Sequence, residues 1–539
     1  MNLEELAKDR AALRERWYRE GFFGTETMAD HVRHGARKFP DAEMIFVGSE
    51  HPGRANLAEM DRVSDRVAAG LWNLGLRAGD VVAVQVPNWL EGALAYQATF
   101  KLGLVIVPIV HIYGPAEVGF ILNESKAKAL IIPQRWRNID YLARIAALRE
   151  TPALEHIITI GDAEVPGTIA WSKLEEAEPC DLPPLAGPDE VCMLIYTSGT
   201  TADPKGVQHT SNTLAAEVRS TRDIVGAGEG IVNLAAFPAG HIGGVLNVLR
   251  TFMFGCSSVL MDTWDATVAA NIVNDYRANS TAGAPFYLTS MMAAANELGL
   301  DMSPMTGFMV GAASVPPAIV HEAQRNNIIA YRAYGSSEHP VITTGSPSDA
   351  LDKRATTDGR LTPGNEVRLV DEDDNDVPIG VDGEILSRGP ELFIGYRNPA
   401  LDEVSFLPGG WFRTGDIGRL DEEGYLTITD RKKDVIIRGG ENISSKEVED
   451  VLASHPSVFE AAVVAMPDER YGEKVAAFVL LNPGCTLDLD EVRRHFVEVG
   501  VAKQKTPERL EVLTEFPRGM SGKVKKFELR DSLRGPAAP

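Results

Sequence analysis

Cysteine is scarce in this chain, with 4 among 539 residues. Cys180, Cys192, Cys256 and Cys485 stand far apart, and none belongs to a Cys-x-x-Cys pair. That spacing excludes the common zinc and redox motifs and a disulfide framework, and it fits a reducing compartment such as the cytoplasm. Positive charge is also short: 53 Lys and Arg face 76 Asp and Glu, for a net charge of −23. Such a surface repels nucleic acid and anionic lipid, while leaving room for a local basic site that holds a small anion. No apolar run approaches the roughly 18 residues that suggest a membrane span. The opening stretch "MNLEELAKDRAALRERWYRE" reads as a charged helix without the apolar core of a signal peptide. Gly-x-Ser-x-Gly, His-Glu-x-x-His and Gly-x-Gly-x-x-Gly are absent, which removes serine-hydrolase, zinc-protease and dinucleotide-binding readings. His31 and His34 share a helix face with no third ligand and read as surface residues.

Length and alternation are what the chain does have. At 539 residues it exceeds a single core, so two or more domains are expected. "RVSDRVAAGLWNLG", "WLEGALAYQATFKLG" and "PAEVGFILNESK" carry apolar residues at helical spacing, and "DVVAVQVPN", "LVIVPIV", "KALIIP" and "LEHIITIG" are apolar strands beside them. This is the pattern of an α/β domain whose mostly parallel sheet is covered by helices on both faces. It resumes after residue 230, with helices near 265–277 and 317–326 and strands near 306–311 and 328–334. From about Glu366 the texture becomes β-rich, with hairpins and acidic turns. "DEDDND", Asp371 to Asp376, lacks the central Gly and terminal Glu of a calcium loop and reads as a solvated turn. After Asp430 comes a small α+β unit with the helices "SSKEVEDVLASH" and "LDEVRRHFVEVG" and a basic tail. No low-complexity linker intervenes, so a large domain, 1–429, and a small mobile one, 430–539, are expected to meet at a short hinge near Asp430.

Five stretches carry chemistry. "YTSGTTADPKGVQHT" (Tyr196 to Thr210) follows the apolar strand "EVCMLIY" and crowds hydroxyls, glycines and Lys205 into one loop. Backbone N–H groups and rotatable hydroxyls in such a turn make a concave anion site, and Lys205 adds a point charge. It is not the common phosphate loop, because no Gly-Lys is followed by Ser or Thr. "AYGSSEH" (Ala333 to His339) ends a strand with an aromatic, a Gly and a carboxylate. "GGWFRTGDIG" (Gly409 to Gly418) puts Asp416 in a tight Gly-flanked turn. "TDRKKDVIIRGGENISSKEVE" (Thr429 to Glu449) contains Arg431, Lys433 and a Gly-Gly turn, and "PRGMSGKVKK" (Pro517 to Lys526) sets Lys523 on a loop near the end. Each alone has an ordinary reading as a turn, a surface ion pair or a soluble tail. Their order and spacing together do not.

From about residue 25 to 530 this set resembles the adenylate-forming superfamily: acyl-CoA synthetases, firefly-type luciferases and peptide-synthetase adenylation domains. The resemblance implies that the first loop, with Thr197, Ser198, Gly199, Thr200, Thr201 and Lys205, holds the β- and γ-phosphates of ATP. It implies a sandwich for adenine between Gly311, Ala312, Ala313 and Tyr334, with Gly335, Ser336 and Ser337 beside it. Asp416 would hold the ribose diol, Arg431 would back the ribose or phosphate, and Thr200 and Glu338 would anchor Mg²⁺. Lys523 would bridge carboxylate and α-phosphate in the transition state. That task has a physical reason: two unit charges about 4 Å apart repel by roughly 4 kcal/mol at an effective dielectric near 20. Asp430 matches the hinge, and Gly439–Gly440 the face that later lines the pantetheine tunnel. The chain departs from the family at three positions, with Ala202 for Gly, Ser337 for Thr and Ser445 for Pro, the last at a helix start where Ser is a good cap. None removes a charge the chemistry needs.

The acyl pocket is expected around "AAFPAGHIGG" (Ala235 to Gly244), with His241, Gly243, Gly311, Gly335 and Pro340. Pro238, Ala239 and Gly240 stand where amino-acid-activating relatives carry an Asp, and Gly243, Gly244, Gly311 and Ala312 leave uncharged space. The resemblance thus implies an ATP-, Mg²⁺- and CoA-dependent acyl-CoA ligase for a bulky apolar acid: medium- or long-chain, alicyclic, aromatic or steroid-derived. Two alternatives are an enzyme that loads a carrier protein in trans, and a nucleotide-binding homologue without catalysis. No nucleic-acid partner is expected, and monomer and homodimer both stay open.

Overall fold

The strands Val81–Val84, Val105–Pro108 and Ala129–Pro133 are buried at every position, so both faces of their sheet must be covered. In a computed structural model, which describes residues 2–48, 50–148, 150–182, 185, 187–197, 204–438, 441–468, 470–519 and 522–533, these strands pair in parallel at the centre of a seven-stranded sheet. Helix Leu90–Leu102, apolar on nearly every side, is buried from Gly92 onward and lies within the same core. A nine-stranded sheet is built mainly from parallel strands, with Ser257–Met261, Val232–Ala235, Ser280–Gly283, Gly307–Val310 and Ala330–Tyr334 in spatial sequence. Helices Met28–Lys38 and Ile242–Phe254 cross in backbone contact: a Cβ on Gly35 would sit 1.6 Å from the Phe252 carbonyl oxygen.

A five-stranded antiparallel sheet runs from Glu366 to Arg431. It is fastened to the nine-stranded sheet by a buried ion pair. Arg332 Nη2 donates to both oxygens of Asp358 at 2.7 Å, and Asp358 Oδ2 also accepts from the backbone N–H of Ile428 at 2.8 Å. The Asp371–Asp376 turn is exposed and closed by its own Asp371 carboxylate, which accepts from the N–H groups of Asp373 and Asn375.

After Arg431 the chain builds another sheet, with Val458–Asp468 and Gly472–Leu481 as its long hairpin and Arg509–Val512 added in parallel. One face carries Val448, Leu452, Val463 and Phe496; the other packs Val464, Phe478, Phe516 and Leu529. The N-terminal helix, Leu3–Glu20, straps the β-rich part, with Arg10 on Asp402 at 3.0 Å and Asp9 accepting from the Gly409 N–H. Among the described residues no helix is long and apolar enough to cross a membrane.

Three local expectations need correction. His31 is buried, not at the surface, because it packs beneath Arg219; only His34 is exposed. Ser445 does not cap its helix. Ser444 does, through Glu447 N–H, while Ser445 turns its N–H and hydroxyl to Asp430. Asp416 lies within strand Trp411–Leu420, where Gly415 at φ 72° supplies the irregularity that reads as a turn in the sequence.

Removing one partner of a buried ion pair strands the other, at about 3–5 kcal/mol. Asp358→Ala should therefore lower the thermal unfolding midpoint clearly, and Arg332→Met with Asp358→Leu should recover most of the loss. An unshifted midpoint in the single variant removes the staple from the account.

Candidate active site

Strand Ala330–Tyr334 delivers Tyr334 to the junction of three sheets. Its hydroxyl donates to Asp416 Oδ2 at 2.7 Å, and Arg431 Nε donates to Asp416 Oδ1 at 2.8 Å. Asp416 is only 5% exposed, so the carboxylate is held by two donors from two other strands. Each oxygen keeps a second lone pair, enough for a pair of hydroxyls. The Tyr334 phenol is pushed far up by burial and then by the Asp416 charge.

The strands flanking the first loop form a hairpin in which Thr197 pairs with Lys205. Ser198, Gly199, Thr200, Thr201 and Ala202 lie outside the described residues. Lys205 is the first residue of the returning strand, and its ammonium stands 5.1 Å from the centre of the Tyr396 ring. The Tyr396 hydroxyl in turn donates to Glu338 Oε1 at 2.7 Å, and the Phe393 N–H donates to the Glu338 carbonyl at 2.8 Å. Glu338 is thus fixed, and among the described residues its other carboxylate oxygen makes no hydrogen bond. Ser336 and His339 clasp each other through N–H donors, and the Ser337 carbonyl meets the His209 imidazole at 2.8 Å.

Lys523 enters the same cleft from the C-terminal sheet. Gly522, next to it, lies so close to Ala284 that an added Cβ would touch the Ala284 Cβ at 3.4 Å. The ammonium feels Arg431, Asp416, Lys433 and Glu338. Protein atoms packed around the amine, followed by the Arg431 charge, bring it down to about 8, although Lys523 is itself an exposed residue. His241 caps helix Ile242–Phe254 without a side-chain bond, and its Nε2 is buried with no partner among the described residues. Burial, and then the charge of Lys523, lowers it to about 4, so it is a neutral imidazole.

The small residues of the site serve backbone approach. A Cβ on Gly335 would lie 2.0 Å from the Pro340 oxygen, and one on Gly311 2.9 Å from the Ala333 oxygen. Gly244 would meet the Pro238 oxygen at 2.0 Å, and Gly243 the Phe237 ring at 3.0 Å. These glycines therefore close contacts instead of opening volume, contrary to the expectation of free space. Ala312 is left-handed at φ 64°, a strained conformation that turns the 311–314 segment with Ala313 away from its strand. Asp430, near the sheet junction, accepts from the N–H groups of Arg431 and Ser445 at 2.6 and 2.7 Å. Gly439 and Gly440 lie outside the described residues.

Sequence reasoning missed Tyr396, whose only signal was an aromatic in "FIGYRNP". It also missed Asn88, which holds the 237–239 stretch by donating to the Phe237 carbonyl and accepting from the Ala239 N–H. Nothing near Asn88 in the sequence marks that contact. Among the described residues no cluster of three His, Cys, Asp or Glu could hold a metal alone. The single open carboxylate of Glu338 instead suits Mg²⁺, which is bound through one or two carboxylates together with substrate phosphates.

The chain matches the family model of the AMP-binding enzyme over residues 32–397 and that of the AMP-binding enzyme C-terminal domain over 447–523. It is 34% identical over 531 residues to the medium-chain fatty-acid–CoA ligase of Escherichia coli, covering 97% of this chain and 93% of that one. It is 32% identical over 535 residues to the 3-[(3aS,4S,7aS)-7a-methyl-1,5-dioxo-octahydro-1H-inden-4-yl]propanoyl:CoA ligase of Rhodococcus jostii, with 94% and 99% covered. The solved structure of an anthranilate CoA ligase in complex with anthranoyl-AMP superposes with a TM-score of 0.85 at 25% identity, covering 96% of this chain and 98% of the other. With Lys523, Glu338, Asp416 and Arg431 gathered in one cleft, the chain belongs to the AMP-binding enzymes, in their acyl-CoA ligase branch.

Proposed function

We propose that this cleft joins a bulky apolar carboxylic acid to CoA in two steps, and that the residues gathered here divide the work as follows. The observation that carries the reading is Lys523, a cation from the C-terminal part of the chain whose ammonium faces Asp416, Arg431 and Glu338. In the first step a carboxylate oxygen attacks the α-phosphorus of ATP, and the bond to pyrophosphate breaks. Lys523 sits where it offsets the charge that both anions bring, an electrostatic role worth most in a site closed to water. Asp416 takes the ribose hydroxyls on its remaining lone pairs, Tyr334 and the 311–313 segment flank adenine, and Thr197 and Lys205 frame the leaving phosphates. Glu338 would hold Mg²⁺, which would supply charge neutralisation to the phosphates when bound.

In the second step the CoA sulfur attacks the acyl carbon, the bond to AMP breaks, and the thiol proton leaves to solvent. We place the boundary between domains at 429/430, with Asp430 as the hinge; turning there separates Asp430 from Ser445 and withdraws Lys523. Gly439–Gly440 would then face the pantetheine arm. His241, neutral and with its Nε2 unpaired among the described residues, lies with Gly243, Gly311, Gly335 and Pro340 at the acyl end. An uncharged lining favours an apolar acid, in line with relatives named for a medium-chain fatty acid and for a bicyclic propanoate. The free cysteines suit a cytoplasmic setting.

The reading makes three demands. Lys523→Ala should reduce acid-dependent ATP–pyrophosphate exchange by about 10²–10³-fold while ATP binding changes little; exchange at the wild-type rate would refute the assigned role. The amine is charged below its pKa and neutral above it. Hence kcat/KM for exchange should fall as pH rises through about 8, and Lys523→Arg, cationic throughout, should lose that limb while keeping reduced activity. Tyr396→Phe frees the Glu338 carboxylate and should raise the Mg²⁺ concentration needed for half-maximal exchange by about tenfold, with no such rise if Glu338 is not an anchor.

A further inference from the structure

Behind the site lies a cluster of buried charge that the reaction does not use. Glu217, on helix Ser211–Ser220, and Glu391, between strand Gly383–Arg388 and Tyr396, are both 0% exposed. Glu391 Oε1 lies 2.5 Å from Ser220 Oγ and 3.2 Å from Thr362 Oγ1. Both hydroxyls donate to that oxygen, and each also lies 2.9 Å from a carbonyl, Ser220 from that of Glu217 and Thr362 from that of Val341. Glu391 is thereby held at one oxygen by two donors. Among the described residues its Oε2, like Glu217 Oε2, has no partner, an arrangement that two buried carboxylates would make very costly.

Glu391 also sits at the root of a segment bonded to Glu338 and to the hairpin that begins with Lys205. Phe393 and Tyr396 make the two hydrogen bonds to Glu338. Ile394 N–H donates to the Gln208 carbonyl at 3.0 Å, Gln208 N–H to the Gly395 carbonyl at 3.1 Å, and Arg397 N–H to the Gly206 carbonyl at 2.7 Å. The segment is in effect an added strand on the hairpin that begins with Lys205.

We propose that Glu391 is a positioning residue for the ATP–Mg²⁺ end of the site: bonded to Ser220 and Thr362, it pins the 391–397 segment to helix Ser211–Ser220 and so fixes Glu338 against the Lys205 hairpin. The groups facing it agree. Burial, then the neighbouring Glu217 charge, pushes Glu391 up, and burial pushes Glu217 up against the opposing pull of Arg250. Arg250 donates to Glu217 Oε1 at 3.4 Å and to Thr221 at 3.1 Å. Tyr331, beside Arg250, is raised by burial and His339 is lowered by it, so both are neutral. One carboxylate faces one guanidinium, and the second carboxyl keeps its proton. Because the folded-state values are raised, the protonated pair is intact at lower pH and its stabilisation is lost as pH rises through the folded value.

The inference rests on Glu338 as the metal anchor. The test is calorimetric titration of the full-length protein with ATP and Mg²⁺ from about pH 6.5 to about 9, with Glu391→Ala, Glu391→Gln and Glu338→Ala. At neutral pH, Glu391→Ala should weaken ATP–Mg²⁺ binding by about 10–100-fold, and Glu391→Gln, the neutral isostere, should rescue it. Wild-type binding should weaken towards alkaline pH, and Glu391→Gln should abolish that weakening; the difference between the two curves cancels the titration of Lys523 and every other shared group. A Gln variant as impaired as Ala, or curves that superimpose, overturns the proposal, and the Gln comparison stands even if Glu391→Ala does not fold. If Glu338→Ala binds ATP–Mg²⁺ as tightly as wild type, the anchor reading fails; if only the Glu391 variants leave binding unchanged, the positioning role alone fails.

Discussion

Two buried carboxylates stitch the molecule together, and the rest of the site hangs from them. Strand Ala330–Tyr334 sends Arg332 to Asp358 and, two residues on, Tyr334 to Asp416. Both carboxylates are then bound by strand Leu426–Arg431, Asp358 through the Ile428 N–H and Asp416 through the Arg431 side chain. A buried carboxylate is tolerable only when its lone pairs are met by donors in place. That requirement fixes the end of the nine-stranded sheet against the strand that leads to the C-terminal sheet. Arg431 is therefore at once the last link of the large body and a neighbour of Lys523.

This arrangement answers the charge problem of the proposed chemistry. Two anionic substrates must meet in a protein whose net charge is −23. The positive groups are few, and they come from separate parts of the chain: Lys205 from the first hairpin, Arg431 from the junction, Lys523 from near the C-terminus. Under the proposed hinge Lys523 is the one that would be supplied or withdrawn, and its pKa is lowered first by burial of the amine and then by the Arg431 charge. The acidic members, Asp416 and Glu338, each keep acceptor capacity after binding their own tyrosine, Tyr334 or Tyr396. A phenol is a suitable partner, since it orients one oxygen and neutralises none of the charge.

Much of this was legible from residue types in order. Helix–strand alternation announced an α/β body because parallel strands buried on both faces must be apolar throughout, and the strands at 81–84 and 105–108 are. The hydroxyl- and glycine-rich loop, the Gly-flanked Asp416 and the late Lys523 each carried a chemical reason that could be stated without coordinates. The errors at the glycines were of one kind. Asp416 read as a turn residue because Gly415 resembles turn chemistry, yet its left-handed backbone serves a break within a strand. Gly244 and Gly311 read as room for a substrate, yet carbonyl oxygens of Pro238 and Ala333 occupy the place of their missing side chains.

Composition, period and local motif determined the element types, the order of the two parts and the set of charged residues that chemistry could use, because those depend on neighbours along the chain. Only the tertiary structure decided which oxygen each donor reaches. Tyr396 lies 58 residues from Glu338 in sequence and 2.7 Å from it in space, and Ser220 lies 171 residues from Glu391. Such pairs leave no periodic trace, since a hydrogen bond across sheets constrains two side chains and nothing between them. Whether a carboxyl is ionised is likewise a property of the enclosure, set by burial and by which charges packing brings alongside.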